Sequence, residues 1–169
     1  VSFWVMDISN SSGHFVTWGG EGSSGQDFRV ISNAYGSCSS SIGFDTYNSG
    51  VGFINTFSIS NWDFYVVTYD STLGNNVYSS KIYKNGFLMS SSCFSQNASS
   101  TNIANTYPIT FGRYHGTMPT DYLIGKLDDI GIWSRVLDST EIQQLYTLGQ
   151  YDIAWSTGDT TSSITVSPN

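Results

Sequence analysis

Short runs of alternating apolar and polar residues, each broken by turn-forming residues, restrict this chain more than any other feature. In Val51-Gly-Phe-Ile-Asn-Thr-Phe-Ser-Ile59 the residues Val51, Phe53, Phe57 and Ile59 share one parity. Phe28/Val30, Ile42/Phe44, Tyr65/Val67/Tyr69 and Ile109/Phe111 repeat the pattern. Successive side chains of a strand point to opposite faces, so each run offers one apolar face to a core. Between the runs lie Ser12-Gly13, Gly19-Gly20, Ser49-Gly50, Gly74-Asn75-Asn76, Asn85-Gly86 and His115-Gly116. Asn85-Gly86 is a two-residue hairpin signal, because both residues tolerate a positive φ. About ten short strands at this spacing predict an antiparallel all-β sandwich or barrel. No βαβ rhythm is present.

One helix interrupts the pattern. Asp138-Ser-Thr-Glu141 is a capping box, and Leu137 and Ile142 take the staple positions. The periodicity runs through Gln143, Gln144, Leu145 and Tyr146 and stops at Gly149. A helix this short is expected to plug an edge or end of the sandwich.

With 169 residues, the chain has room for one buried domain and a short extra piece. Residues 1–149 read as the sandwich. Residues 150–169 read as a β-hairpin stub or linker around Gly158-Asp159. The chain opens inside the strand-like Val1-Ser-Phe-Trp-Val-Met-Asp-Ile8, which reads as a processed or truncated start. Charged residues make up only 11%, so Ser, Thr, Asn and Gly must cover the surface, a pattern suited to a secreted β-protein. Six basic residues against 13 acidic ones give a net charge of −7, which repels phosphate backbones and argues against nucleic acid as a partner. No run reaches the roughly 18–20 apolar residues of a membrane span, so no membrane insertion is expected. Cys38 and Cys93 are candidates for a disulfide closing a loop of about 55 residues, worth on the order of 4 kcal/mol. The alternative is two half-buried thiols.

Three stretches resemble one family. Val1-Ser-Phe-Trp-Val5 resembles the first core strand of laminin-G-like jelly-roll domains, which are concanavalin A-like sandwiches. Asn61-Trp-Asp-Phe-Tyr-Val-Val-Thr-Tyr-Asp70 with Lys81-Ile-Tyr-Lys-Asn-Gly86 resembles a paired strand motif of that family. Gly125-Lys-Leu-Asp-Asp-Ile-Gly-Ile-Trp133, with Arg135-Val-Leu137 and Glu141-Ile142, resembles its closing segment. The likeness implies an antiparallel jelly roll with one short helix, and it places Trp4, Trp62 and Trp133 in the core. Asp63 and Phe64 depart from it, standing where the family has a His-like pair. The segment that precedes the first strand in the family is missing here, which implies an open sheet edge. Trp155 to Pro168 resembles the start of Ig-like, PKD-like repeats in surface proteins of Bacteroidetes-type bacteria. That likeness implies a large adhesin, a polysaccharide degrader or a type IX secretion substrate as parent.

Glycoside hydrolysis with retention needs two carboxyl groups about 5 Å apart. The two glutamates are Glu21 in a Gly/Ser loop and Glu141 at a helix start, and the adjacent Asp128 and Asp129 would point to opposite faces of a regular strand. No pair fits, so the chain reads as non-enzymatic. His14 and His115 are the only histidines, and no zinc spacing or nucleophile elbow is present. Leu123 and Leu127 share one parity while Ile130 and Ile132 share the other, so a bulge is expected at Asp128-Asp129. A bulge can gather oxygens for a structural Ca²⁺, and related jelly rolls hold one near this strand. Two solvated aspartates are the alternative. Candidate sugar-stacking platforms are Trp18, Tyr35, Tyr47, Tyr114 and Tyr122, with Arg113, His115 and Asp121 as hydrogen-bonding groups. The expected function is an extracellular carbohydrate-binding or adhesion module, its partners a polysaccharide or cell-surface glycan and neighbouring domains of the parent. A ligand-free spacer or docking domain is the alternative, and a glycosidase or lyase is disfavoured.

Overall fold

A computed structural model describes residues 1–6, 13–22, 24–32, 41–47, 49–55, 57–74, 76–90, 92–95, 101–116 and 121–150. The strands are β1 (Ser2–Met6), β2 (Gly13–Gly19), β3 (Asp27–Ser32), β4 (Ser41–Asp45), β5 (Gly50–Ile54) and β6 (Asp63–Tyr69). They continue as β7 (Ser80–Lys84), β8 (Phe87–Leu88), β9 (Ser92–Ser95), β10 (Tyr107–Phe111) and β11 (Lys126–Gly131), followed by the helix α1 (Ser139–Leu148). One sheet has the order β11-β1-β6-β7-β8 and the other β10-β2-β3-β4-β5-β9. Every strand pair is antiparallel. The sandwich read from the alternation is present.

The core lies between the sheets. Phe3 and Val5 of β1, Tyr65 and Val67 of β6 and Ile82 of β7 face Phe15, Val16, Phe28, Val30, Ile42, Phe44 and Val51 of the other sheet. Phe3 stacks on Phe15 across the gap at 5.2 Å and on Tyr65 within its own sheet at 6.1 Å. Two of the four register shifts among the described strands set the phase of core residues. His14 pairs with Ile31 and Val16 with Val30, so Phe15 has no partner on β3 and both Phe15 and Val16 turn inward. On β11, Ser2 pairs with Gly131 but Trp4 pairs with Asp128, leaving one extra residue. Asp129 there has φ +45°. Leu127 and Ile130 therefore both pack on the core despite opposite parity, as the sequence predicted.

The turn at Asn85-Gly86 has φ of +51° and +84°, the mirror-image geometry that twists with the strands it joins. Asp63 fastens it. Its carboxylate accepts bonds from Asn85 Nδ2 at 3.1 Å and from Ser58 N and Oγ at 3.2 and 2.9 Å, with Lys84 Nζ at 3.0 Å. Burial opposes its charge, but the bonds from Lys84, Asn85 and Ser58 prevail and hold it below the ordinary carboxylate range. The residue that departs from the family pattern thus ties loop, strand and hairpin together.

Both halves of the capping box form: Asp138 accepts from Glu141 N at 2.9 Å, and Glu141 accepts from Asp138 N at 3.0 Å. The helix does not plug an edge. It lies on the outer face of the five-stranded sheet, where Ile142 and Leu137 join Trp4, Phe64, Val66 and Tyr83 in a second apolar layer. The even-numbered residues of β1 and β6 supply that face, so the sheet is apolar on both sides and needs a cover. Gly149 ends the helix with φ −71°, not in the left-handed region. Its missing side chain matters for packing, since a Cβ there would sit 2.5 Å from Trp4 Cζ2.

Three expectations about packing are corrected. Trp62 and Trp133 are 38% and 39% exposed, so Trp4 alone of the three family tryptophans is buried. Trp62 precedes β6 and Trp133 follows β11, beyond the part of each strand that faces another layer. Ile59 is exposed because β5 ends at Ile54 and the alternation continues into a loop. Phe111 pairs with the inward Val16 but is half exposed, because β10 is an edge strand. Cys38 and the side chain of Cys93 lie outside the described residues, as do residues 151–169 of the expected stub.

Ile142 is fully buried and Leu148 is 65% exposed on the same helix. Ile142→Ala should lower the unfolding free energy by about 2–5 kcal/mol, and Leu148→Ala by no more than about 0.5 kcal/mol. Urea denaturation of both variants checks this.

Candidate functional site

Two places on the sandwich gather functional side chains. The first is the outer face of the six-stranded sheet. On β3, Phe28 and Val30 point to the core, so Asp27 and Arg29 point away from it. Arg29 pairs in register with Asp45 of β4, and its guanidinium bonds that carboxylate while Nε lies 3.8 Å from Asp27. The segment after β10 closes over them. Tyr114 donates to Asp27 Oδ2 at 3.2 Å, and His115 Nε2 donates to the Gly20 carbonyl at 2.5 Å. The rings of Tyr47 and Tyr114 lie 5.4 and 5.9 Å from the Arg29 guanidinium, a cation–π arrangement. Tyr47 also uses its backbone N–H to bond Asp45 Oδ1 at 2.7 Å.

His14, Asp27, Arg29, Asp45 and His115 are all buried. His14 Nδ1 donates to the Asp121 carbonyl at 3.4 Å, and the His14 ring lies 5.4 Å from that of Tyr114. Burial first, then the charge of Arg29, pushes the His14 imidazole down to about 4. Burial raises the Asp27 carboxyl, against the pull of Arg29, His115 and the Tyr114 hydroxyl. His14 Nε2, Asp27 Oδ1 and His115 Nδ1 have no hydrogen-bond partner among the described residues. Buried charges persist only when paired, and here two carboxylates share one guanidinium. The sequence pointed to Tyr47, Tyr114 and His115 as surface groups for sugar. The structure brings them together, but as the cover of this buried cluster.

The second place is a cleft of about 450 Å³ at one end of the sandwich. Strand ends form it: the start of β1 and the end of β6 from one sheet, the end of β2 and the start of β3 from the other, and the segment after β11. Trp18, Tyr69, Asp70, Trp133, Ser134 and Arg135 line it. Trp18 stacks on Phe28 at 3.7 Å, which fixes its indole in the floor. Trp133 donates from Nε1 to Ser2 Oγ at 3.1 Å and keeps 39% of its surface exposed. Arg135 is held by Glu141 through two bonds of 2.7 and 2.6 Å. Those bonds, with the Asp138 backbone bond, lower the Glu141 carboxyl to about 2. Asp70 accepts from Thr72 N and Oγ1 at 2.9 and 2.6 Å. Of the sequence candidates among the described residues, only Trp18 lines this cleft.

The remaining candidates are scattered. Arg113 offers its carbonyl to the hydroxyls of Thr17 and Thr110. Asp121 has φ +52° and uses its carbonyl on His14, whose backbone N–H also donates to it at 3.2 Å. Tyr122 is exposed and Tyr35 lies outside the described residues. Asp128 accepts from Asp129 N at 2.8 Å, and no third His, Cys, Asp or Glu joins the two into a metal-holding group among the described residues. The signals that could have exposed the buried cluster were Asp27 and Arg29 themselves. They are charges interleaved with Phe28 and Val30 in a single strand.

No helix among the described residues is long and apolar enough to cross a membrane. A family model described as the concanavalin A-like lectin/glucanases superfamily matches residues 1–143. No curated protein matches the sequence significantly.

The buried His14 makes stability depend on pH. The unfolded chain takes up this proton near the ordinary value of 6.5 and the folded chain only near 4, so unfolding is favoured by acid between those values. This contribution is complete above about pH 6.5 and fades as the pH falls to 4, a change on the order of 3 kcal/mol. Asp27, raised in the fold, works in the opposite sense. Thermal melts from pH 7 to 4 should therefore show a steeper acid loss in the parent chain than in His14→Gln.

Proposed function

The chain belongs to the concanavalin A-like lectin/glucanase superfamily, and we propose that it is a non-catalytic, extracellular carbohydrate-binding or adhesion module whose glycan sits in the end cleft between Trp18 and Trp133. The observation that carries this reading is the cleft itself. Its volume of about 450 Å³ lies in the range of small-ligand sites, and its wall pairs an exposed indole with several polar groups. A pyranose has an apolar C–H face that stacks on an aromatic ring and a rim of hydroxyls that needs both donors and acceptors. Trp133 offers the ring. Asp70, Ser71, Ser134 and the backbone at the strand ends offer the partners. Trp18 and Trp133 are each fastened by a neighbour, so little side-chain entropy remains to be lost on binding.

The carboxylates support a binding role over hydrolysis. Asp27 and Asp45 are buried on one guanidinium, Glu21 takes the Tyr107 hydroxyl at 2.9 Å, Asp63 is the hairpin anchor and Glu141 holds Arg135. Each does structural work, and among the described residues the cleft is lined by a single carboxylate, Asp70. Acid–nucleophile catalysis needs two. The partners of such a module are a polysaccharide or cell-surface glycan and the other domains of its parent protein.

Affinity electrophoresis against plant, algal and bacterial polysaccharides tests the reading. Retardation by at least one polysaccharide is expected, with binding weakened about tenfold or more by Trp133→Ala. Trp62→Ala removes an equally exposed indole outside the cleft and should leave the retardation in place. Silence across the panel would favour the ligand-free spacer, and release of reducing ends would favour a hydrolase.

A further inference from the structure

Resting on the end cleft as the glycan site, a second property follows from where its charges are spent. Among the charged side chains of the described residues, only Asp70 and Arg135 line the cleft. The Arg135 guanidinium is engaged face to face by Glu141, both of whose oxygens accept from it. Glu141 neutralises this guanidinium and takes its Nη1–Nη2 edge, so a second carboxylate meets an ion pair with no net positive charge and only the Nε side of the fork. The Val1 nitrogen borders the cleft too, and it donates to the Val67 carbonyl at 2.7 Å.

The rest of the molecule supplies no substitute. Of the six Lys and Arg residues, Arg29 is buried between Asp27 and Asp45, and Lys84 is held by Asp63. Lys81, Arg113 and Lys126 lie outside the cleft. An acidic sugar entering it would meet the Asp70 carboxylate with no cation released to offset the repulsion or the loss of its own hydration. A neutral sugar meets no such cost and can donate its hydroxyls to Asp70.

We infer that Glu141, acting through Arg135, together with Asp70 on the cleft wall, makes this site selective for neutral glycans over uronate-bearing ones. Glu141 is a positioning residue: it closes the helix cap and neutralises a cation that would otherwise bind carboxylates. The two duties separate by substitution. Gln at the same position can still complete a capping box, so Glu141→Gln frees Arg135 and keeps the helix start. Asp70→Asn likewise keeps an acceptor for Thr72 N, just as Asn76 accepts from Tyr78 N at 3.0 Å in the next turn of the chain.

The test uses uronate-containing polysaccharides alongside their carboxyl-reduced counterparts, which share a backbone and differ in charge. The unmodified protein should bind the reduced member of a pair more tightly. Glu141→Gln should raise the ratio of uronate to reduced-sugar affinity by about tenfold, the order of one charge-assisted contact. Asp70→Asn should move the same ratio in the same direction. The inference is overturned if the unmodified protein binds both members equally, or if neither variant shifts the ratio while circular dichroism shows both folded. Absence of binding to every member would instead sink the glycan reading on which it rests.

Discussion

The layer of aromatic rings between the two sheets carries the rest of the structure. Phe3 sits at its centre, stacked on Phe15 from the opposite sheet and on Tyr65 from its own, and Phe44 meets Tyr69 across the gap at 5.5 Å. Rings of this size fix the spacing of the sheets and need their strands in one register. The bulge at Phe15 exists because two consecutive residues of β2 must both reach that layer. The bulge at Asp128-Asp129 does the same for Leu127 and Ile130 at the edge. Each is a local defect in pairing, made to keep the interlayer filled.

Filling one gap leaves two outer faces, and the chain treats them in opposite ways. Behind β1 and β6 it places more apolar residues, Trp4, Phe64 and Val66, and lays α1 over them. Behind β3 and β4 it places charges, and closes Tyr47, Tyr114 and His115 over Arg29 and its two aspartates. The apolar face gains from burial alone. The polar face depends on complete pairing, and its orphaned nitrogens and the depressed imidazole of His14 mark it as the less settled of the two. With both faces covered, the strand ends remain. There Trp18, Trp133 and Arg135 meet, and the helix that covers one face also supplies the carboxylate that holds Arg135.

Local chemistry was legible in the sequence. Asn85-Gly86, the Asp138/Glu141 box and the phase slip at Asp128-Asp129 each state a backbone geometry within a few residues, and all three are present. Parity also told which residues of β3 and β4 face the core. It could not tell whether the opposite side is open or covered, since that depends on segments far along the chain. Tyr114 and His115 therefore look like surface residues from the sequence alone. The same limit applied to Trp133: its strand was recognised, but not that β11 ends two residues before it. Arg135 and Glu141 were visible only as part of a closing motif, because their pairing needs the turn that brings a strand end against a helix start.

The central claim is that a sugar occupies the strand-end cleft and not the covered polar face. Indole N–H resonances report this directly, because among the four tryptophans of the described residues only Trp18 and Trp133 line the cleft. Titration of ¹⁵N-labelled protein with a neutral oligosaccharide should move those two signals and leave those of Trp4 and Trp62 in place. If the two cleft signals stay fixed while the ring signals of Tyr114 and His115 shift, the site has been assigned to the wrong part of the molecule.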